Sequence, residues 1–370
     1  MGRPGPTLLV LAGVHGNEPA GVAAVQRVLD TLQQRELAVR GRLVAFAGNL
    51  RALAEGRRFV DRDLNRGWSR GAVQELAARR RAAGAAEDTE QRELLAGFEQ
   101  VLHSAAGPVV FVDLHSSSAD GPPFLCLADT IDNRRLGLAT GVPMILGIEE
   151  TIDGASLEWF ADRGIAGLAV EGGRHGHPET IANHEAVLWS LLVRLGIVDG
   201  RDVDLAPHRA RLAQAGRGAP PIVEIVARHA ITAADGFRMQ PGFVNFAAVA
   251  KGALLATDRR GQILAPSTCH VMLPLYQAQG DDGFFLAKPV RPFWSWLAGV
   301  MRRLRGDVLL RFLPGVRRDP ADANTLLVDR RVARWYATEV FHLLGFRRER
   351  ERGGQLAFSR RWSRPENRRL

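Results

Sequence analysis

Residues 7–14 read Thr-Leu-Leu-Val-Leu-Ala-Gly-Val, an apolar run of strand length with no charged position. A strand of that kind must be covered on both faces, which is the situation of a strand inside a parallel sheet. Residues 41–48 and 108–114 are similar runs, each with a single charge, Arg42 and Asp113, and shorter runs follow at 124–128 and 168–170. The segments between them carry helical periodicity. Residues 19–37 place Val22, Val25, Leu29 and Leu32 on one face, with Pro19 near the first turn. Residues 71–83 and 88–105 read as helices, the second capped by Asp88 or Thr89. Residues 178–195 carry a stripe of Ile181, Val187, Leu188, Leu191 and Leu192. The alternation predicts an α/β fold, a mixed and mostly parallel sheet covered by helices. Ligands of such sheets gather at the carboxyl ends of the strands.

The texture changes near residue 205. Pro220-Pro221 is followed by short β-rich runs at 222–227, 242–247, 253–257 and 262–265, with Asp258-Arg-Arg-Gly261 as a hairpin turn between the last two. With roughly 150 residues to a domain, a chain of 370 residues is expected to divide. The expected division is a catalytic domain at 1–204, a smaller β-rich domain at 205–290 and a basic α+β extension at 291–370. That last segment holds 19 arginines, no lysine and 8 acidic residues, a net +11, which leaves −2 on the first 290 residues of a chain whose net charge is +9. It is expected to contain an aromatic-rich stretch at 292–305, a helix at 329–344 and a closing hairpin about Gly353-Gly354. Charge alone reads more simply as a solvated arginine-rich surface than as a nucleic-acid site, and no nucleic-acid partner is expected. No run of 18 apolar residues occurs, so no membrane span is expected, and residues 7–14 read as a buried strand rather than a secretory signal. Two distant cysteines, Cys126 and Cys269, fit a reducing cytoplasm better than a disulfide framework.

The chemistry-bearing residues cluster at the ends of the apolar runs. Gly13-Val-His15-Gly-Asn-Glu18 closes the first. A His and a Glu three apart at a strand-to-helix junction can turn toward one point, and the glycines allow the sharp turn. Alone, the spacing is common, and a capping Glu beside a surface His explains it equally. A second run, Phe111-Val-Asp113-Leu-His115-Ser-Ser-Ser, also ends on a histidine. Neighbouring parallel strands would bring both imidazoles to one sheet edge, and His15, Glu18 and His115 then make a three-ligand set for zinc with a fourth position open. Asp113 is a candidate acceptor for the outer N–H of a ligand imidazole, or a strand-end acid capping backbone amides. Leu168-Ala-Val-Glu171-Gly-Gly ends a third run on a carboxylate, which beside a metal can act as a general base. A fourth stretch, Gly48-Asn-Leu-Arg51 and then Arg58-Phe-Val-Asp-Arg-Asp63-Leu-Asn65-Arg66, is dense in forked donors for carboxylates or oxyanions.

These four segments, GVHGNEPAG, NLRAL…RRFVDRDLNR, DLHSSS and AVEGG, occur in the order found in the succinylglutamate desuccinylase/aspartoacylase family of the zinc carboxypeptidase-like superfamily, and over residues 13–173 the chain resembles that family. The resemblance implies one Zn2+ per chain on His15, Glu18 and His115, with Glu171 as general base and acid. It implies that Arg58 polarises the scissile carbonyl and that Asn65 and Arg66 hold a substrate carboxylate. Arg163 lies where the family's acid-binding arginine falls, although nearer to the Glu. Tyr276, in the run LPLYQAQGDDG, is a second candidate contact from the β-rich region.

The expected function is zinc-dependent hydrolysis of the amide of a small N-acylated amino acid with a free carboxylate. The alternatives are a metallocarboxypeptidase acting on short peptides, or a binding protein that docks an acidic partner through its basic extension. Both a monomer and an oligomer fit the sequence.

Overall fold

The computed structural model describes residues 3–79, 84–291, 315–319, 322–329, 346–352 and 355–360. The first half alternates strand and helix: β1 (Arg3–Ala12), α1 (Ala20–Gln34), β2 (Arg40–Ala47), α2 (Leu50–Glu55), α3 (Arg70–Ala78), α4 (Ala86–His103) and β3 (Val109–Ser117). It continues with β4 (Phe124–Cys126), α5 (Ile131–Thr140), β5 (Met144–Leu146), α6 (Ile148–Thr151), α7 (Ser156–Ala161), β6 (Ala166–Arg174), α8 (Pro178–Arg194) and α9 (Ala206–Ala215). The second half is nearly all β: β7 (Ile222–Ala230), β8 (Arg238–Met239), β9 (Ala247–Val249), β10 (Leu254–Asp258), β11 (Gly261–Leu264), β12 (Cys269–Met272) and β13 (Asp282–Pro289). Four strands of the basic segment follow: β14 (Val316–Asp319), β15 (Asp322–Asp329), β16 (Phe346–Arg352) and β17 (Gln355–Arg360).

Ten strands form one sheet in the order β2-β1-β3-β6-β4-β5-β7-β13-β12-β9. Strands β2, β1, β3 and β6 run parallel; β4 is antiparallel to β6, and from β13 onward all pairing is antiparallel. Strand β1 is an inner strand, between β2 and β3, and Leu8, Leu9, Val10 and Leu11 are fully buried, as its unbroken apolar run requires. Alternate residues feed two cores. Leu8 and Val10 join Val25 and Val28 of α1, Leu136 of α5 and the apolar side of α8 on one face. Leu9 and Leu11 join Trp68, Leu94 and Phe98 of α4, and Trp159 and Phe160 of α7 on the other. Phe98 is the hub of the second core, with ring centroids of Phe46, Trp68, Phe111, Trp159 and Phe160 all within 6.1 Å. Phe98→Ala is expected to cost about 3–5 kcal/mol, checked by denaturant unfolding.

The α/β expectation holds, with corrections of detail. Of the expected α1 stripe, Val25 is buried and Val22 and Leu32 pack against the core beside Ala24 and Val28, but Leu29 is exposed. Small residues take the closest approach to the sheet: a Cβ on Gly21 would lie 2.7 Å from Leu114 Cβ. Neither Asp88 nor Thr89 caps α4. The helix starts at Ala86, whose N–H donates to Asp61 Oδ2, while Asp88 is inside the first turn and paired with Arg62. Residues 242–246 precede the strand expected there, which begins at Ala247. The hairpin at Asp258–Gly261 forms, its turn amides donating to Asp258 Oδ1. Strands β16 and β17 pair antiparallel on either side of residues 353–354. The helix expected at 329–344 and the stretch at 292–305 lie outside the described residues. At the expected boundary of residue 204 the chain passes between α8 and α9, which pack on each other, and the large sheet is continuous beyond it. No helix among the described residues is long and apolar enough to cross a membrane.

Candidate metal centre

The parallel strands β1 and β3 are direct neighbours, with Leu11 opposite Asp113 and Ala12 opposite Leu114. Their carboxyl ends therefore open at one edge, His15 just past β1 and His115 within β3. The chain leaves β1 through Gly13, whose φ of +69° suits a residue without a Cβ. Gly16 then passes so close to α2 that a Cβ there would stand 1.9 Å from the carbonyl carbon of Ala52. Only glycine lets the turn fold that tightly, and the turn puts Glu18 between the histidines.

Glu18 is the meeting point. Its Oε1 lies 3.0 Å from His15 Nδ1 and its Oε2 lies 3.1 Å from His115 Nδ1. The backbone N–H of Ser116 donates to Oε2 at 2.9 Å. All three side chains are buried, and their candidate ligand atoms lie within 4.8 Å of one another. The outer nitrogens are held as well: His15 Nε2 is 3.1 Å from Asp63 Oδ1 and His115 Nε2 is 3.1 Å from Asp113 Oδ2. Carboxylates on the outer nitrogens fix both tautomers so that Nδ1 faces inward, the arrangement a divalent ion on two histidines and a glutamate requires. The donor set is nitrogen and oxygen with no sulfur, which suits zinc among other divalent ions.

Charge is balanced within the cluster. Burial raises the Glu18 carboxyl, but His15 and His115 outweigh it and hold the group well below the ordinary carboxylate range. Asp63, likewise buried, is held well below its usual value by His15 and Arg58. Burial opposes a charge on His115, yet Asp113 and Glu18 raise it well above the usual imidazole value. Glu171 differs. It stands opposite His115 in the β3–β6 register and lines the cavity, and its Oε2 has no hydrogen-bond partner among the described residues. Burial, opposed mainly by His115, pushes its carboxyl up to about 7.

The Arg58–Arg66 loop is tied down by Glu87, a fully buried acid of α4. Its carboxylate accepts the backbone N–H groups of Val60, Asp61 and Arg62 and the side-chain amide of Asn49. From that anchored loop, Arg58 donates Nε and Nη2 to Asp63 Oδ2 at 3.2 and 2.9 Å, and its Nη1 is 3.5 Å from Glu18. Asn65 and Arg66 form a 3-10 turn at the cavity wall. Asn65 Oδ1 accepts from Ser156 N at 2.7 Å, and Arg66 pairs with Asp281 and Asp282.

Two expected contacts fall elsewhere. Arg163 lies over the Trp159 ring at 3.5 Å from its centroid and donates to the Trp159 carbonyl; it does not line the cavity. Its position after α7 faces the aromatic core. Tyr276 is half-exposed, and its hydroxyl is engaged by Phe243 N and Gln240 O, so the ring braces its own loop. The neighbours Leu275 and Gln277 reach the cavity in its place. Sequence reasoning passed over Asp63, Ser156 and the Asp281–Asp282 pair. His175, beside them, bridges Ser116 Oγ at 2.8 Å and Gln277 Oε1 at 3.1 Å. Only Asp63, in a segment already marked by its charge, carried a local signal.

Residues 4–170 match the profile of the Succinylglutamate desuccinylase/Aspartoacylase catalytic domain. Over those residues the chain is similar to the catalytic domain of the succinylglutamate desuccinylase/aspartoacylase family. Succinylglutamate desuccinylase of Pseudomonas fluorescens (strain Pf0-1) is 40% identical over 62 residues, a span covering 17% of this chain and 18% of that relative's length. Likeness to such curated relatives is therefore confined to a short part of them. The fold similarity extends further. The crystal structure of succinylglutamate desuccinylase/aspartoacylase from Rhodobacter sphaeroides aligns over 78% of this chain and 87% of its own, with a TM-score of 0.58 at 18% identity. Murine aminoacylase 3 aligns over 78% and 97%, with a TM-score of 0.53 at 18% identity. The mixed, mostly parallel sheet with its helices is thus the family's fold, and smaller β-sheets are added toward the C-terminus.

Proposed function

We propose that the protein is a zinc-dependent amide hydrolase that deacylates small N-acylated amino compounds, with one ion held by His15, Glu18 and His115. The observation that carries the reading is the pair of inward Nδ1 atoms on one glutamate, each imidazole backed by its own carboxylate, with Glu171 alongside. The match of residues 4–170 to the family's catalytic-domain profile supports the same chemistry.

When bound, the ion would supply Lewis-acid polarisation of the amide and lower the pKa of the attacking water. Glu171 takes a proton from that water on its carboxylate and passes it to the departing nitrogen as the C–N bond breaks. Arg58 presents Nη1 to the carbonyl oxygen as it gains charge. Its other edge is locked to Asp63, so the donor is in place before reaction begins. Asp113 and Asp63 keep the ligand imidazoles oriented. Asn65 and Arg66 line the wall where the family resemblance assigns a substrate carboxylate. Arg163 and Tyr276 have no part in the reading.

A base works only when ionised, and Glu171 holds its proton until about pH 7. Activity is therefore expected to fall on the acid side of 7, tenfold per pH unit, and to level off above it. A kcat/KM profile that is flat from pH 5 to 8 would remove Glu171 from the role. The function itself is tested by following amine release from a panel of N-acyl compounds with zinc-loaded protein. Failure to release amine from any of them would refute it.

A further inference from the structure

We propose that the cavity takes an N-acylated amine with no carboxylate beside the amide nitrogen, and prefers one carrying a positive charge. The proposal rests on the amide-hydrolase reading above and narrows it to a substrate class. It starts from Arg66. The guanidinium has five N–H donors. Nε donates to Asp281 Oδ2 at 3.2 Å, and Nη2 donates to Asp281 Oδ1 at 3.2 Å and to Asp282 Oδ2 at 2.8 Å. Nη1 donates to the carbonyl of Asn65 at 3.1 Å. Four of the five donors are thus engaged, and the fork that suits a substrate carboxylate already grips one from its own chain in the two-point geometry. The neighbouring Asn65 is turned inward as well, its oxygen on Ser156 N and its amide 3.5 Å from His115 Nε2.

The internal carboxylates are built in. Asp282 is the first residue of β13 and pairs with Ala230 of β7. Its other oxygen accepts from Arg228 Nε, and Arg228 Nη1 is fixed to the carbonyl of Thr151 at 2.7 Å. The carbonyl of Asp281 accepts from Ile231 N at 2.9 Å. Backbone pairing fixes where both residues sit, and the Asp282 carboxylate is anchored by Arg228 as well as by Arg66. A substrate carboxylate entering here would displace them from Arg66 and then sit against both, an arrangement of like charges at contact distance that costs more as water is excluded.

The rest of the wall points the same way. Six carboxyl groups line the cavity, those of Glu18, Asp113, Glu149, Glu171, Asp281 and Asp282, against the two arginines Arg58 and Arg66. Setting aside Glu171, which holds its proton to about pH 7, five acids stand against the four positive charges of Arg58, Arg66 and a divalent ion. Such a wall concentrates cations and repels anions.

The experiment uses the full chain. Binding is read by calorimetry on the zinc-loaded Glu171→Gln protein, and kcat/KM on the unaltered zinc-loaded protein. The probes are N-acetyl-1,4-diaminobutane, N-acetylbutylamine and N-acetylaspartate. The expected order of both binding and kcat/KM is cationic, then neutral, then anionic, with at least a tenfold gap between the ends. Asp281→Asn with Asp282→Asn frees Arg66 and is expected to narrow or invert the gap. Asp281→Asn alone, which spares the Arg228 pair, should shift it in the same direction should the double variant not fold. Tighter binding and faster turnover of N-acetylaspartate by the unaltered sites would overturn the substrate class while leaving amide hydrolysis standing. Binding of the cationic probe with no turnover of any amide would support the class and sink the hydrolase reading. No binding of any probe, or an order unmoved by the Asp281 change, overturns the proposal.

Discussion

Glu171→Gln is expected to lower kcat by about 10²- to 10⁴-fold, the range a positioned general base contributes. Glutamine has nearly the same shape and can still sit opposite His115 at the end of β6, so the fold and the metal content should not change. The carboxylate's burden is specific: it must accept a proton from water and return it to nitrogen, and an amide does neither. The acid limb of the pH profile should disappear along with the activity, because burial sets that limb on this one carboxyl. Single-turnover kinetics with elemental analysis on the same sample separates loss of base from loss of metal. Retention of more than a tenth of the original kcat would remove Glu171 from the mechanism.

His115→Ala is expected to take the ion with it. The substitution removes one of three ligands and leaves the Glu18 Oε2 and Asp113 carboxylates facing an empty space where they had shared an imidazole. Breaking a buried charged pair on one side costs about 3–5 kcal/mol, lessened here by the bonds that Glu18 keeps with Ser116 N and His15 and that Asp113 keeps with Ser156. Metal-dependent stabilisation should be lost as well, about 4 kcal/mol when the free ion stands at 1,000 times its dissociation constant. Elemental analysis should fall from one zinc per chain to near zero, and zinc should no longer raise Tm. Stoichiometric zinc in the variant would refute His115 as a ligand.

Much of this architecture was legible because strands buried on both faces leave no ambiguity. The unbroken run at β1 and the similar run at β3 could only be inner strands, and both ended on histidines. Helix periodicity placed α8 almost to the residue. On α1 it placed Val22, Val25 and Leu32 against the core but missed on Leu29, since the closest approach to the sheet is taken by small residues such as Ala24 and Gly21. The candidate ligands were legible because each sits beside a glycine turn or at a strand end. Their supports were less so. Asp63 is 48 residues from His15 and Ser156 is 43 residues from Asp113, and no spacing rule joins such pairs. The Arg66 partners were least legible of all. Asp281 and Asp282 lie 215 and 216 residues away, and only the pairing of β13 with β7 brings them to the cavity. Arg163 and Tyr276 failed for the converse reason: sequence placed them near site residues, but a local aromatic ring and a local loop claimed them first.

The division of labour along the sheet has an evolutionary corollary. In the proposed reading the reacting groups come from the ends of β1, β3 and β6 and from the Arg58 loop, whereas Asp281, Asp282 and Gln277 come from the run that closes the far wall. Catalysis and appetite are thus encoded in separate stretches of the gene. A few changes between residues 273 and 282 can retarget such an enzyme to a new molecule without disturbing the machinery that cuts it.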